Sequence, residues 1–245
     1  MPAERYYFHG PLQKGKAIFL EKQEFHHLVH VMRSEKGDEI EMVDGKGTLA
    51  SGEVINIHKK DRAEILIKSV EKGAPPLNSV ILVQAIPRFN RLDNIVEKGT
   101  ELGMTELWLF PAEYSERKDI SESHLEKMKT IALTSMKQCG TLYLPMISLK
   151  SPLKLWKEVS GSAFFGDVAK DAPPLLIKKR SSPILFFIGP EKGFSKQEIV
   201  FFRNAGVQGV HLHDNILRTD TAGMTALALI QFCLASSCLK TSIIS

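Results

Sequence analysis

Cysteine is scarce in this chain of 245 residues. Cys139, Cys233 and Cys238 are too few and too scattered for a disulfide framework or a zinc motif, and a reducing, cytoplasmic setting is expected. Long apolar runs are missing too. The most apolar helical stretch, Ala222 to Ala235, is shorter than the roughly 18 residues of a membrane span and carries Thr225 and Gln231. The opening MPAERYYFHG has no apolar signal core, so export is not expected. No glycine fingerprint of the GxGxxG or Walker kind occurs, which counts against common nucleotide enzymes. Charge of one sign is not in large excess. Residues 1–72 hold 12 basic and 12 acidic residues, so the net +4 lies wholly in the rest. That permits an anionic partner without demanding one.

What is present divides in two. Residues 1–72 read as short strands: Ile40 and Met42, then Val54 and Ile57, then Ile65 and Ile67 alternate, with a hairpin signal at Asp44–Gly47. A small β-barrel is expected, interrupted by one helix near Gln23–Arg33. His26 and His30 fall one helical turn apart there, but no third metal ligand accompanies them, so no metal site is assigned. Residues 73–79 read as a linker, because Gly73, Pro75 and Pro76 break any periodicity. Residues 80–245 alternate strands and helices, the mark of an α/β domain with a mainly parallel sheet. Helices are expected over 91–103 and over 124–139, the latter with a Ser123/Glu126 capping box, and strands at 105–110, 163–165 and 207–212. Lys178–Arg180 is a basic run suited to phosphate or to plain solvation.

Two segments carry chemistry. In ILFFIGPEKGFSKQE (184–198), an apolar strand stops at Gly189-Pro190. Ser195 and Glu198 form a capping box, and Phe194 and Ile199 a hydrophobic staple. A loop at the carboxyl end of a central strand is where open α/β sheets bind ligands, although a plain turn reads the same way locally. In GVHLHDNILRTDTAGMTALAL (209–229), Arg218 stands just ahead of a helix capped by Thr219 or Asp220. A cation there calls for an anion nearby. That helix lacks a polar face, so it is expected to be buried on several sides, against another chain included.

Together these segments resemble the SPOUT superfamily of RNA methyltransferases, RsmE type, whose members methylate N3 of a uridine in small-subunit (16S) ribosomal RNA. IGPEKGFS is similar to that family's IGPEGGFS, and LHDNILRTDTA to its LGxxILRTETA. RYYF, HHLVHVMRSEKGDEI, DGKG, QAIPRFNRLDNIVEKGTELGM, SERK and KQCG extend the likeness over nearly the whole chain. Lys192, His213 and Thr141 depart from the family pattern, as do Asp220 for glutamate and Arg88 for lysine.

The resemblance implies a PUA-like N-terminal barrel and a deep trefoil knot at about 184–235. It implies S-adenosylmethionine held by Phe165, Gly166, Ile188, Gly189, Pro190, Glu191, Gly193, Leu212, His213, Asn215, Ile216, Leu217 and Thr219. Homodimers would pack through the knot domain. The RNA substrate, free or within the 30S subunit, would meet Arg5, His26, His27, Arg33 and Arg88. Arg218 is the catalytic candidate, since a guanidinium suits the anion formed as the uracil N3 proton leaves. Its alternative is an ion pair with Asp220 or Glu191. Glu191 stands as a candidate base or as a group orienting its loop. Two other readings stay open: an α/β enzyme of another nucleotide cofactor, and a non-catalytic RNA-binding factor that keeps the knot.

Overall fold

The computed structural model describes residues 4–58, 61–169, 171–177 and 182–241, without the side chains of Phe89 and 237–241. Lys178–Arg180 lies outside the described residues. The chain divides into two compact units: 1–75 with 133–144, and 76–132 with 145–245. Beyond the expected 1–72, the first unit takes in 73–75 from the expected linker and the distant segment 133–144.

In the first unit, β1 (Arg5–Tyr7), β2 (Ala17–Glu21), β3 (Glu39–Val43), β4 (Thr48–His58) and β5 (Arg62–Lys72) form one curled sheet in the order β1-β3-β4-β5-β2. β1 and β3 run parallel and the other neighbours antiparallel. Alternation sends Leu20, Met42, Val54, Ile65 and Ile67 inward, where they are all but fully buried with Tyr6 and Leu28. Gly52 is required by close approach, since a Cβ there would lie 2.7 Å from both Ile65 and Met42 side-chain carbons. The helix between β2 and β3 is α1 (Lys22–His26), widening into a π-helical turn at His27–Val31. The hairpin at Asp44–Gly47 joins β3 to β4. The Asp44 carboxylate accepts the backbone N–H groups of Lys46 (2.7 Å) and Thr48 (2.9 Å). Segment 133–144 is attached by side chains, with Lys137 to Glu24 at 2.7 Å, Tyr143 Oη to the Gly73 carbonyl at 3.0 Å and Arg5 to the Gly140 carbonyl at 2.6 Å, and by main chain, with the Gly47 N–H on the Leu142 carbonyl and the Leu144 N–H on the Gly45 carbonyl, both at 2.9 Å.

The second unit holds six strands: β6 (Val80–Ala85), β7 (Glu106–Phe110), β8 (Met146–Leu149), β9 (Ser162–Gly166), β10 (Ile184–Ile188) and β11 (Gln208–Val210). Their order is β11-β9-β10-β6-β7-β8 and every ladder is parallel. β6 and β10 are buried at every position, as strands covered on both faces must be. The helices are α2 (Phe89–Glu101), α3 (Glu122–Cys139, whose residues from Leu133 belong to the first unit), α4 (Lys196–Asn204) and α5 (Thr219–Thr241). α4 covers one face over Ile81, Val83, Phe165, Leu185 and Phe187, while α2 and α5 pack together on the other.

Three local expectations are corrected. α3 is capped by Ser121, whose Oγ accepts from the His124 N–H at 3.4 Å, and Glu126 pairs with Lys129 instead. The helix starts at Glu122, so Ser123 falls inside its first turn, where its hydroxyl meets that of Ser121 at 3.1 Å. α5 begins at Thr219 itself, so Arg218 is the cap residue and its carbonyl accepts the Ala222 N–H at 2.7 Å. β11 is three residues long, because His211 leaves the β9 ladder to bond the Pro173 carbonyl.

Candidate functional site

β6 and β10 are neighbours whose chain continuations run to opposite sides, β6 to β7 and β10 to β11. Such a switch point opens a crevice at the carboxyl ends of the strands. The loops 86–88, 111–121, 167–177, 189–195 and 211–218 all leave from that edge.

Loop 189–195 is built to a fixed shape. Pro190 ends the β10 ladder, and its carbonyl accepts the Gly193 N–H at 2.8 Å. Gly193 sits at φ +75°, a left-handed conformation that favours glycine. The capping box forms as expected: Ser195 Oγ accepts the Glu198 N–H at 3.2 Å, and Glu198 Oε2 accepts the Ser195 N–H at 2.8 Å. The second carboxylate oxygen of Glu198 accepts the Glu113 N–H at 2.9 Å, so one buried side chain joins the loops after β7 and β10. Phe194 meets Phe202 edge-on at 4.8 Å and Phe165 at 6.0 Å.

Phe165 itself stacks on Phe202 at 4.9 Å and is buried, so only its main chain faces the strand ends. Gly166 is open: a Cβ there would find nothing nearer than Phe186 at 3.9 Å and Leu212 at 4.0 Å. Ile188 is buried beside Gln84 in register. In loop 211–218, His213 Nδ1 accepts the Asn215 N–H at 3.0 Å, and Ile216 is exposed. Among the described residues nothing engages the main-chain N–H groups of Leu212, Ile216 and Leu217.

The two carboxylates near the site have partners, and neither partner is Arg218. Glu191 lies 3.4 Å from the Arg91 guanidinium, which also reaches Thr219 Oγ1 at 3.4 Å. Asn94 Nδ2 donates to Asp220 at 3.5 Å. Arg218 is exposed, and among the described residues its guanidinium has no hydrogen-bond or ion-pair partner.

Reading the sequence missed Arg91, Asn94 and Gln84. The signal for Arg91 was a cation in the first turn of a helix, a position the dipole disfavours without an acid nearby. For Gln84 it was an amide inside an apolar run. Its Nε2 donates to the Ala85 carbonyl at 3.0 Å, while its buried Oε1 has no partner among the described residues.

The residues expected to meet RNA fare differently. Arg5 is taken up by Glu41 at 2.9 Å and the Gly140 carbonyl, and its side chain is largely covered. His27 pairs with Glu4 at 3.3 Å and tilts over Tyr6. His26, whose ring lies 5.1 Å from that of His30, and Arg33 are exposed. Arg88 is exposed but bound in a two-pronged pair with Glu116.

A parallel sheet with shaped loops at its switch point, and at a helix start a guanidinium without a partner among the described residues, define an α/β unit whose strand-end crevice suits an anionic or polar ligand. The chain belongs to the RNA methyltransferase family: that family's domain model matches residues 74–231, and the model of the RNA methyltransferase PUA domain matches 20–68. It is similar to ribosomal RNA small subunit methyltransferase E of Aquifex aeolicus, 25% identical over 91% of this chain and 97% of the relative. Two solved structures share the fold. One is the ribosomal RNA small subunit methyltransferase E from Neisseria gonorrhoeae bound to S-adenosyl methionine, with TM-score 0.84, 26% identity, and 94% and 98% of the two chains covered. The other is a predicted RNA methyltransferase from Thermotoga maritima, with TM-score 0.72, 30% identity, and 95% and 100% covered.

Proposed function

We propose that this protein methylates N3 of a specific uridine in small-subunit ribosomal RNA, with S-adenosylmethionine as donor, acting in the cytoplasm as a homodimer. The observation that carries the reading is the Arg218 guanidinium, without a partner among the described residues, at the strand-end face of a unit matched by the RNA methyltransferase family. The named activity and bound cofactor of the Aquifex and Neisseria relatives support it.

The residues present fit the donor. Main-chain N–H groups of Leu212, Ile216 and Leu217 are unengaged among the described residues, and Gly166 leaves open space beside Leu212. Those are the features a purine and a ribose need. S-adenosylmethionine supplies a sulfonium methyl: the N3–C bond forms as the S–C bond breaks, and the N3 proton goes to a base. Loops 189–195 and 211–218 hold the reactants in line, which is the main demand of such a displacement. As the proton leaves, charge spreads over O2 and O4 of the base, and Arg218 offers paired donors to it. Glu191, matched by Arg91, orients its loop in this reading. The uridine must be unpaired to present N3.

The chain passes from the edge strand β11 back over β6 and β10 as α5, and the knotted threading at about 184–235 is part of the proposal. α5 carries Thr221, Thr225, Ala228, Phe232 and Ala235 on one unburied stripe, with Phe232 70% exposed. That stripe is the proposed dimer face.

The test is incubation with labelled S-adenosylmethionine and small ribosomal subunits, then nucleoside mass spectrometry. 3-Methyluridine is expected. Arg218→Ala should lower turnover about 100-fold or more while cofactor affinity stays within roughly twofold. Undiminished turnover by that variant rejects the role of Arg218. Unmodified RNA with the parent protein rejects the function.

A further inference from the structure

Three loops at the strand-end edge bring one exposed acid among several cations. Arg88, after β6, holds Glu116, after β7, through Nε at 3.0 Å and Nη2 at 2.9 Å. Both side chains are half-exposed or more, at 61% and 50%. Lys192, after β10, and Arg117 also act on the Glu116 carboxylate, which Arg88 first and these two after it hold below the usual carboxylate range. One carboxylate cannot match both Arg88 and Lys192. Glu191, a further acid that acts on Arg88, is already matched by Arg91.

We propose that Arg88, Arg117 and Lys192 form a phosphate-binding site for the RNA strand beside the target uridine, with Glu116 as its displaceable counter-ion. This rests on the methyltransferase reading above. A guanidinium fork fits phosphate as well as carboxylate. An exposed ion pair contributes only about 0–1 kcal/mol, so RNA opens it at little cost. The loop that carries Glu116 and Arg117 is held from beneath. Lys118 Nζ bonds the carbonyls of Ala112 and Glu113, and Glu198 accepts the Glu113 N–H. Arg117 and the counter-ion Glu116 are therefore presented by a fixed loop, not gathered by the ligand. The same loop exposes the ring of Tyr114, a surface on which a base can stack. Lys192 stands where the family pattern has glycine, so this chain carries a cation there that the pattern lacks.

The test is fluorescence anisotropy with a labelled single-stranded oligouridylate over a salt series. Arg88→Ala and Lys192→Ala should each flatten the slope of log affinity against log salt by about 0.7. Glu116→Gln should tighten binding several-fold, and the gain should vanish in an Arg88→Ala background. Glu158→Gln, just ahead of β9 at the opposite end of its strand, removes the same charge and should change affinity far less. An unchanged affinity in Glu116→Gln, or an equal gain without Arg88, overturns the proposal. Displacement of the RNA by polyglutamate at equal charge also overturns it and assigns the surface to an acidic protein. If the parent protein methylates ribosomal RNA while these variants bind as it does, only the phosphate site falls. If the parent neither binds nor methylates RNA, the function falls and the site with it.

Discussion

The guanidinium of Arg91 lies 3.4 Å from the Glu191 carboxylate and 3.4 Å from the Thr219 hydroxyl. One side chain of α2 thus touches the loop after β10 and the first residue of α5, the two segments the proposed donor site is made of. Both charges of the pair are about three-quarters covered, so each would suffer from losing the other. Arg91→Ala should weaken S-adenosylmethionine binding about tenfold, which corresponds to roughly 1.4 kcal/mol. Arg91→Lys keeps the charge but not the fork, and should recover only part of the loss. Calorimetric titration with the cofactor decides. Parent-like affinity in Arg91→Ala would show that the contact positions nothing.

Glu198 gives a second prediction. Its buried carboxylate accepts from Ser195 N–H and Glu113 N–H. Glu198→Ala removes both acceptors, strands two donors and should cost about 2–4 kcal/mol in urea unfolding. Glu198→Gln keeps one acceptor oxygen and should cost about half as much. The unfolding midpoint and cofactor affinity should fall together, because the same carboxylate shapes the loop.

The strands, helices and capping box of α4 were legible because they depend on neighbours in sequence. The apolar run bounded by Gly189-Pro190 is a strand that stops there, and Ser195 with Glu198 caps the helix beyond it, whereas the same pattern at Ser123 and Glu126 misleads because Ser121 caps α3. The pairings of Arg91 with Glu191 and of Glu198 with Glu113 were not legible, since they join residues 100 and 85 positions apart in the chain. Nothing local distinguishes an arginine that latches a loop from one that greets solvent. Arg5 makes the point from the other side. The resemblance implies an RNA contact there, and no local pattern shows that its guanidinium meets Glu41 and the Gly140 carbonyl, the latter 135 positions away. The membership of 133–144 in the first unit was hidden for the same reason, because α3 runs on without a break in its pattern.

Phe232 tests the proposed dimer. It is 70% exposed on a stripe of small residues along α5. An aromatic left in water on such a face forgoes about 1.5–3 kcal/mol of burial. Phe232→Glu should convert a dimer to a monomer in sedimentation velocity while leaving far-ultraviolet circular dichroism unchanged. A parent protein that is monomeric at all concentrations would rule out the dimer face.

Asp44 predicts a pH effect in the first unit. Partial burial pushes its carboxyl up, but the Thr48 side chain, the Thr48 and Lys46 N–H groups and Lys72 outweigh that and hold it below the ordinary carboxylate value. A depressed folded-state value means the anion stabilises the fold above the unfolded-chain value, about 3.9, and that this increment is lost as pH falls through the folded value. Solvent screening keeps the increment small, and the two turn hydrogen bonds contribute about 1 kcal/mol at neutral pH. Asp44→Asn should therefore be less stable at pH 7 and should converge on the parent in acid. Equal separation of the two melting curves at every pH would exclude the linkage.

His213 stands in a position where the family pattern has glycine, and its ring has a task. Nδ1 accepts the Asn215 N–H at 3.0 Å, closing the turn that precedes Ile216 and Leu217. That contact requires the tautomer with its proton on Nε2, because a ring protonated at both nitrogens cannot accept. His213→Asn, whose side-chain oxygen can close a similar turn, should bind S-adenosylmethionine nearly as well as the parent. His213→Gly frees the turn and should weaken binding roughly three- to tenfold, the effect of losing one hydrogen bond and of added loop entropy. Tighter binding by His213→Gly would mean that the imidazole obstructs the site and that the turn it closes is incidental.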